Sequence, residues 1–374
     1  MTARLFEPIA LRGLTLANRI VVSPMCQYAA EDGSATDWHL MHLGQFAISG
    51  AGLVIVEATH VEPRGRITHG CLGLYSDENE AALGRVVAFC RRHGAARLGI
   101  QLSHSGRRGS ARLPWVGRGE SLTAAEGAWT TVGVSGLPYA EQWPAPQVLD
   151  AAGLAEVLAA HVDAVRRAAR LGFDLVEVHI AHGYLLHEFL SPLSNHRTDA
   201  YGGSRENRMR FPLELFARMR AAWPDDRPMG VRHSVTDWLD GGWTPEDASA
   251  FAAALKSLGC DYMTASSGGL SPAQRVPIGE GHQVPFARLL RASGMPSMAV
   301  GMIFDPHHAE RVIADGDADF VALARGMLSD PHWAWRAAAA LDGEVSHPVQ
   351  YLRAYRSRWL RQMRAGTGAP GTGL

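Results

Sequence analysis

The stretch VEVHIAHGYLLHEFLSPLSNHRTDAYGG, residues 176–203, decides how this chain folds. Together with Leu175 before it, the apolar Val176 and Val178 read as a β-strand. That strand runs straight into two histidines three apart, His179 and His182, with Tyr184 just beyond. A strand that ends in ionisable side chains has left a buried core for a polar rim. In a parallel α/β protein that rim is where chemistry sits.

Working outward, the strand at 174–179 is the fourth of eight short apolar runs. The others are 20–23, 53–58, 98–103, 228–232, 261–266, 298–301 and 320–324. They are mostly continuous rather than alternating, which suits strands covered on both faces. Amphipathic stretches lie between them. Residues 77–93 and 151–171 carry apolar side chains at three- and four-residue spacing. A helix over 205–223 opens after Ser204. Another over 245–258 follows Thr244, an N-cap, with Pro245 in its first turn; Asp305 and Pro306 repeat the signal. Eight alternations predict an α/β protein of the (β/α)8 TIM-barrel class. An open doubly wound sheet is the runner-up, although no GxGxxG follows the first strand.

One barrel is expected over residues 1–345, with 6–18 closing its floor. Two regions break the rhythm. Residues 106–147 are rich in Gly, Pro, Ser and Trp and should be an insertion after the third strand, forming a small hairpin over the rim. The tail, 346–374, carries Tyr351, Arg353, Tyr355, Arg356, Arg358 and Trp359. It should contact a neighbouring subunit and end, from Gly366, in a disordered Gly/Pro-rich segment.

In a barrel, function comes from the C-terminal strand ends. Here they present Ser23, Pro24, Met25, Cys26 and Tyr28, then Ala58, Gln101, the His179–Tyr184 cluster, Arg232, Gly301, and finally Ala324 with Arg325. Gly301 allows close backbone approach, and Arg325 offers a guanidinium with free amides beside it. Together they suit a phosphate, as the seventh and eighth loops of barrels often do. Two ordinary glycine turns are the bland alternative. Gln101 can donate to and accept from an amide-like ring edge. Arg232 adds a permanent positive charge, which stabilises a reduced, anionic ring. Met25 and Ala58 add small apolar contact. The set suits a flavin mononucleotide (FMN) across the barrel mouth.

For the histidines three readings stand. A zinc site would need a third ligand and usually a carboxylate, and neither HExxH nor an HxH at the first strand occurs. A satisfied structural pair explains one histidine but not two beside a tyrosine. The third reading is a pair of donors holding a carbonyl oxygen, with Tyr184 as proton source. His39, His42, His69, His161, His187 and His196 read as structural or exposed. Cys26 reads either as a small buried hydrophobe or as a thiol that hydrogen-bonds the flavin and tunes it.

Composition removes other classes. The chain has 374 residues and a formal net charge of −1, with no basic block to suggest nucleic acid or a membrane surface. No run of about 18 apolar residues exists. The start, MTARLFEPIALRG, lacks a signal-peptide core, so a cytoplasmic location is expected. Cys26, Cys71, Cys90 and Cys260 are scattered, as reduced thiols are. Lys256 is the only lysine and sits in a helical stretch, which speaks against a P-loop or a Schiff base.

Several strings together resemble the old yellow enzyme family of flavin-dependent ene-reductases. They are NRIVVSPMCQY (18–28), GLVIVEATHVEPRGRI (52–67), GIQLSHSGRR (99–108), EVHIAHGYLLHEFLSPLSNHRTDAYGGSRENRMRF (177–211), GVRHS (230–234), GGWTPEDA (241–248) and ALARGMLSDP (322–331). The chain looks most like the cysteine-containing branch of xenobiotic reductases and thermophilic-like enzymes. The resemblance implies non-covalent FMN, reduced by NADPH or NADH, with contacts from Ser23, Pro24, Met25, Cys26, Ala58, Gln101, Arg232, Gly301, Ala324 and Arg325. It implies that His179 and His182 hold the substrate's oxygen, that Tyr28 lines the pocket, and that Tyr184 donates a proton. Arg353 matches an arginine that reaches a neighbouring subunit's site in some relatives, so a homodimer or homotetramer is expected. The expected reaction is NAD(P)H-driven reduction of the C=C bond of an enone. A reductase of an unsaturated or dearomatised CoA thioester and a non-catalytic flavin-binding sensor are the alternatives.

Overall fold

The computed structural model describes residues 3–353. Eight parallel strands close into a barrel: β1 (Ile20–Val22), β2 (Leu53–His60), β3 (Arg97–Ser103), β4 (Leu175–Ile180), β5 (Met229–Ser234), β6 (Met263–Ser266), β7 (Ser297–Ala299) and β8 (Phe320–Leu323). Each pairs with the next, and β8 pairs with β1. The open-sheet alternative is thereby excluded. All eight strands fall on the eight apolar runs, with ends displaced by at most two residues.

Helices α1 (Asp37–Ala47), α2 (Asp77–His93), α3 (Ala151–Arg170), α4 (Leu185–Leu190), α5 (Arg205–Ala222), α6 (Pro245–Ser257), α7 (Val284–Ala292), α8 (Pro306–Ala314), α9 (Arg325–Ser329) and α10 (Trp333–Ala340) connect and cover the strands. Side-chain caps start several of them. Ser204 accepts from Asn207 N–H, Thr244 from Asp247 N–H, and Asp305 from the N–H groups of His307 and His308.

Alternation sorts each strand. On β4, Val176, Val178 and Ile180 pack outward against the helices, while Leu175 belongs to the inner cluster with Leu53, Ile55 and Phe320. A two-stranded hairpin, Ile9–Leu11 with Leu14–Leu16, joins that inner cluster through Leu11, Leu14 and Leu16 and closes the floor. The lower barrel is therefore apolar. Higher up, the register aligns polar side chains, Gln101 with Glu177, His179 with Arg232, and Arg232 with Thr264, and sets the small Ala58 beside Gln101.

The insertion differs from expectation. In place of a regular hairpin it holds a single antiparallel bridge, Ala111 with Ser121, and a short pairing of Val132–Gly133 with Gln147–Val148 that is parallel. Short 3-10 turns fill the rest. Its anchor is side-chain chemistry rather than a ladder. The buried Glu188 carboxylate on α4 accepts from Arg107 N–H (2.9 Å) and Val134 N–H (3.2 Å). The expected contact and disorder from Tyr355 onward lie outside the described residues. No described helix is long and apolar enough to cross a membrane.

Candidate active site

The end of β4 carries the centre of the site. His179 is buried, and its Nδ1 accepts the Ala181 N–H at 3.2 Å. That contact assigns the ring proton to Nε2. His179 Nε2 lies 3.3 Å from His182 Nδ1, and His182 Nε2 lies 2.7 Å from Ser266 Oγ on β6. Each imidazole thus carries its proton on Nε2. Burial, with Arg232 beside them, holds both well below the ordinary imidazole range. The Tyr184 ring lies 5.0 Å from that of His179. Burial pushes the Tyr184 phenol upward, and the Arg108 guanidinium opposes the shift.

The backbone here is held under strain. His182 has φ 59° and Gly183 has φ 71°. His182 N–H donates to Ser234 Oγ (3.0 Å), whose hydroxyl donates to Gly268 O (2.8 Å). Gly183 N–H donates to His187 Nδ1 (2.8 Å), and His187 Nε2 stands 3.0 Å from Asp237 Oδ1. Gly269 packs so closely that a Cβ there would lie 2.3 Å from His182 Cα. Arg108 ties the two loops together by donating to Gly269 O (2.9 Å) and to His182 O. Its guanidinium also lies over the rings of Tyr139 (4.4 Å) and Tyr184 (5.1 Å).

Beside this cluster is a cleft of about 230 Å³. It brings together Ser23, His182, Arg232, Gly301, Ala324 and Arg325. Arg232 Nη1 donates to Ser23 Oγ at 3.2 Å, while its buried Nε has no hydrogen-bond partner among the described residues. Gly301 has φ 114°, and a Cβ there would press on His282 and Gln283 at 3.0–3.1 Å. An unpartnered guanidinium nitrogen and a cradle that only glycine leaves open fit a flavin with its phosphate.

The other candidates lie along a second wall. Cys26, Tyr28 and Tyr184 pack with Trp143 around Ile67, Cys71 and Ala111. Burial, then the Glu57 carboxylate, pushes the Cys26 thiol well above its ordinary value, so it stands as a protonated donor rather than a nucleophilic thiolate. Glu57 accepts from Gln27 N–H (3.0 Å) and lies 3.3 Å from His39 Nε2. Met25 O accepts from Gln27 Nε2 (2.8 Å), and Pro24 precedes it on the same turn. Arg353 is exposed at the last described position and joins none of the described site contacts.

Several residues of the site escaped sequence reading. Glu177 is fully buried between the strands; it accepts from Gln101 Nε2 (2.7 Å), Thr264 Oγ1 (2.6 Å) and Tyr262 OH (3.3 Å). Burial raises its pKa, and Arg232 is the main opposing influence. Its signal was present: an acid two residues before His179 in an otherwise apolar strand faces the same side. His282 and Gln283 line the cleft from a long loop with no periodic pattern, and nothing in the sequence marks them. Among the described residues, no group of three or more His, Cys, Asp or Glu is placed to hold a metal.

A parallel barrel with a phosphate-sized cleft, an unpartnered guanidinium nitrogen and paired imidazole donors fits a flavin-dependent oxidoreductase. Comparison with known proteins agrees. The model of the NADH:flavin oxidoreductase / NADH oxidase family matches residues 4–344. The chain belongs to that family, the old yellow enzyme family. It is 41% identical over 359 residues to an NADPH dehydrogenase of Geobacillus thermodenitrificans, covering 95% of this chain and all of that protein. It is 40% identical over 358 residues to an NADPH dehydrogenase of Bacillus subtilis, with the same coverage. Among solved structures it resembles morphinone reductase, with a TM-score of 0.74, 27% identity, and coverage of 93% of this chain and 92% of that one. FMN is the cofactor and NAD(P)H the reductant.

Proposed function

We propose that this enzyme reduces the C=C bond of α,β-unsaturated carbonyl compounds. Held by Ser23, Arg232, Gly301, Ala324 and Arg325, FMN would supply the two-electron hydride chemistry that links nicotinamide oxidation to reduction of the C=C bond. The observation that carries the reading is the pair of neutral imidazoles, each with its proton on Nε2, beside the Tyr184 phenol. In this reading the Nε2 protons of His179 and His182, which without substrate go to His182 Nδ1 and Ser266 Oγ, turn to the substrate's carbonyl oxygen and stabilise the charge that develops there. Neutral donors need no proton exchange to do this, and their depressed pKa values keep them neutral at physiological pH. Tyr184 gives its proton to the α-carbon. Arg232, Ser23, Gly301, Ala324 and Arg325 hold the cofactor on one side, with Gln101 and Ala58 aligned across β2 and β3. Glu177 holds the Gln101 amide in place. Cys26, as a protonated thiol, tunes the flavin, which supports placing the chain in the cysteine-containing branch.

The reading extends to a homodimer or homotetramer in the cytoplasm. The four free thiols support the location, and the exposed Trp38, Met41 and Phe89 on α1 and α2 support self-association. The test is anaerobic reduction of the yellow protein by NADPH or NADH, followed by addition of 2-cyclohexenone. Rapid reoxidation with formation of cyclohexanone is expected. Flavin that NADPH reduces but that no enone reoxidises would overturn the proposal.

A further inference from the structure

The insertion places large apolar side chains where water would normally demand polar ones. Trp115 is 67% exposed and Val116 50% exposed. The excursion that carries them has a firm base. Arg112 pairs with Glu126 through two hydrogen bonds (2.8 and 3.0 Å) and with Glu120 through a third (3.1 Å). Backbone bonds from Arg112 N–H to Glu120 O and from Leu122 N–H to Ser110 O close the same base.

Trp115 does not simply face solvent at random. Its ring meets that of Tyr28 edge-on at 5.7 Å. Tyr28 is itself held in the left-handed region, with φ 55°. A Cβ on Gly70 would strike its carbonyl oxygen at 2.4 Å, so the turn is tightly packed. Inward from Tyr28 the surface continues through Cys26, Trp143 and Tyr184. Through Tyr28, Trp115 thus joins an apolar, largely aromatic wall that includes Tyr184, whose ring lies 5.0 Å from that of His179.

Arg108, which lies over Tyr184, and its neighbour Arg107 are both occupied. Arg108 binds Gly269 O and His182 O and lies between two tyrosine rings. Arg107 donates to the carbonyls of Leu137, Pro138 and Leu270. Such a wall offers contact to a flat apolar molecule and little to the phosphates of a CoA thioester. We infer that Trp115 forms the outer wall of a subsite for carbonyl compounds of two or more fused rings, and that it selects them over single-ring ones. The inference deepens the proposed function and rests on it only for the bond that is reduced.

The test reads binding with ketones that cannot be reduced at a C=C bond. Holoenzyme is titrated with cyclohexanone and with 1-decalone, and the shift of the flavin's visible spectrum gives each Kd. For Trp115→Ala the Kd of 1-decalone should rise about tenfold, in line with the worth of an aromatic contact. The Kd of cyclohexanone should change less than about twofold, and Trp115→Phe should restore most of the loss. Equal weakening of both ketones, or no change in either, overturns the inference. So does a change in oligomeric state without a change in ketone affinity, since Trp115 would then cover a second copy of the chain. Tight 1-decalone binding that depends on Trp115, in an enzyme that reduces no enone, would leave the subsite standing and remove the proposed reaction.

Discussion

At the scale of single residues, protonation states decide what His179 and His182 can do. Each ring's Nδ1 is used as an acceptor, so each Nε2 is a donor. Removing one preorganised donor to a developing oxyanion typically costs roughly 3–4 kcal/mol of barrier. His179→Ala or His182→Ala should therefore slow reoxidation of the reduced enzyme by 2-cyclohexenone by about two to three orders of magnitude. Flavin absorbance should be retained in both. Stopped-flow spectra decide the matter, and near wild-type rates in both variants would remove the oxygen clamp. The histidines announced themselves by following an apolar strand. Glu177 stands on the same face of that strand, but its role, like that of Arg108, was not legible there. An acid in a strand and an arginine in a loop acquire meaning only from what the fold sets beside them, here the Gln101 amide and the carbonyls of His182 and Gly269.

At the scale of elements, the site is a contact between loops rather than one motif. The turn after β4 is clamped by the turn after β6. Gly269 (φ 92°) admits no Cβ, because His182 Cα occupies that space. Gly269→Ala combines a disfavoured backbone with a steric clash and should cost about 2 kcal/mol or more. It should also push His182 from its position, so the enone rate falls along with the melting temperature. Thermal unfolding and enone reoxidation measured on the same preparation check this; a fully stable Gly269→Ala with normal rates would show that the loops are not so tightly coupled. The insertion shows what element-level reading misses. Its Gly, Pro and Trp content correctly marked an excursion over the rim. The parallel pairing of Val132–Gly133 with Gln147–Val148 depends instead on Glu188, a residue of α4 distant in sequence.

At the scale of the whole molecule, buried titratable groups set the pH dependence of stability. Burial lowers His42 and His161 to about 4 and His60 and His233 to about 3, and holds His179 and His182 well below the usual range. Such a histidine stays neutral in the folded chain while the unfolded chain takes up a proton below about pH 6.5. Stability then falls as pH drops from about 6.5 toward the folded value, by up to about 1.4 kcal/mol per pH unit for each fully buried group. Buried Glu57, Glu177 and Glu188 act in the opposite sense, with Glu188 raised to about 7. Their protonated forms stabilise the fold below the unfolded carboxyl range, and that contribution is lost as pH rises through their folded values. Six imidazoles outweigh three carboxyls, so the melting temperature of the holoenzyme should fall by at least about 5 °C between pH 7 and pH 5. A flat or rising profile by circular dichroism would mean that these imidazoles titrate inside the folded chain.

The sequence by itself determined the barrel, because eight runs of apolar residues with helices between them have few other ways to bury both faces of each strand. It also determined which side chains stand at the strand ends, since alternation along a strand is a local property. Only the tertiary structure decided how those side chains face one another. Strand register set Gln101 against Glu177 and His179 against Arg232, and loop packing set Arg108 over Tyr184 and Trp115 against Tyr28. Those pairings join residues tens of positions apart, and barrel closure, which no local pattern encodes, brings them within contact distance.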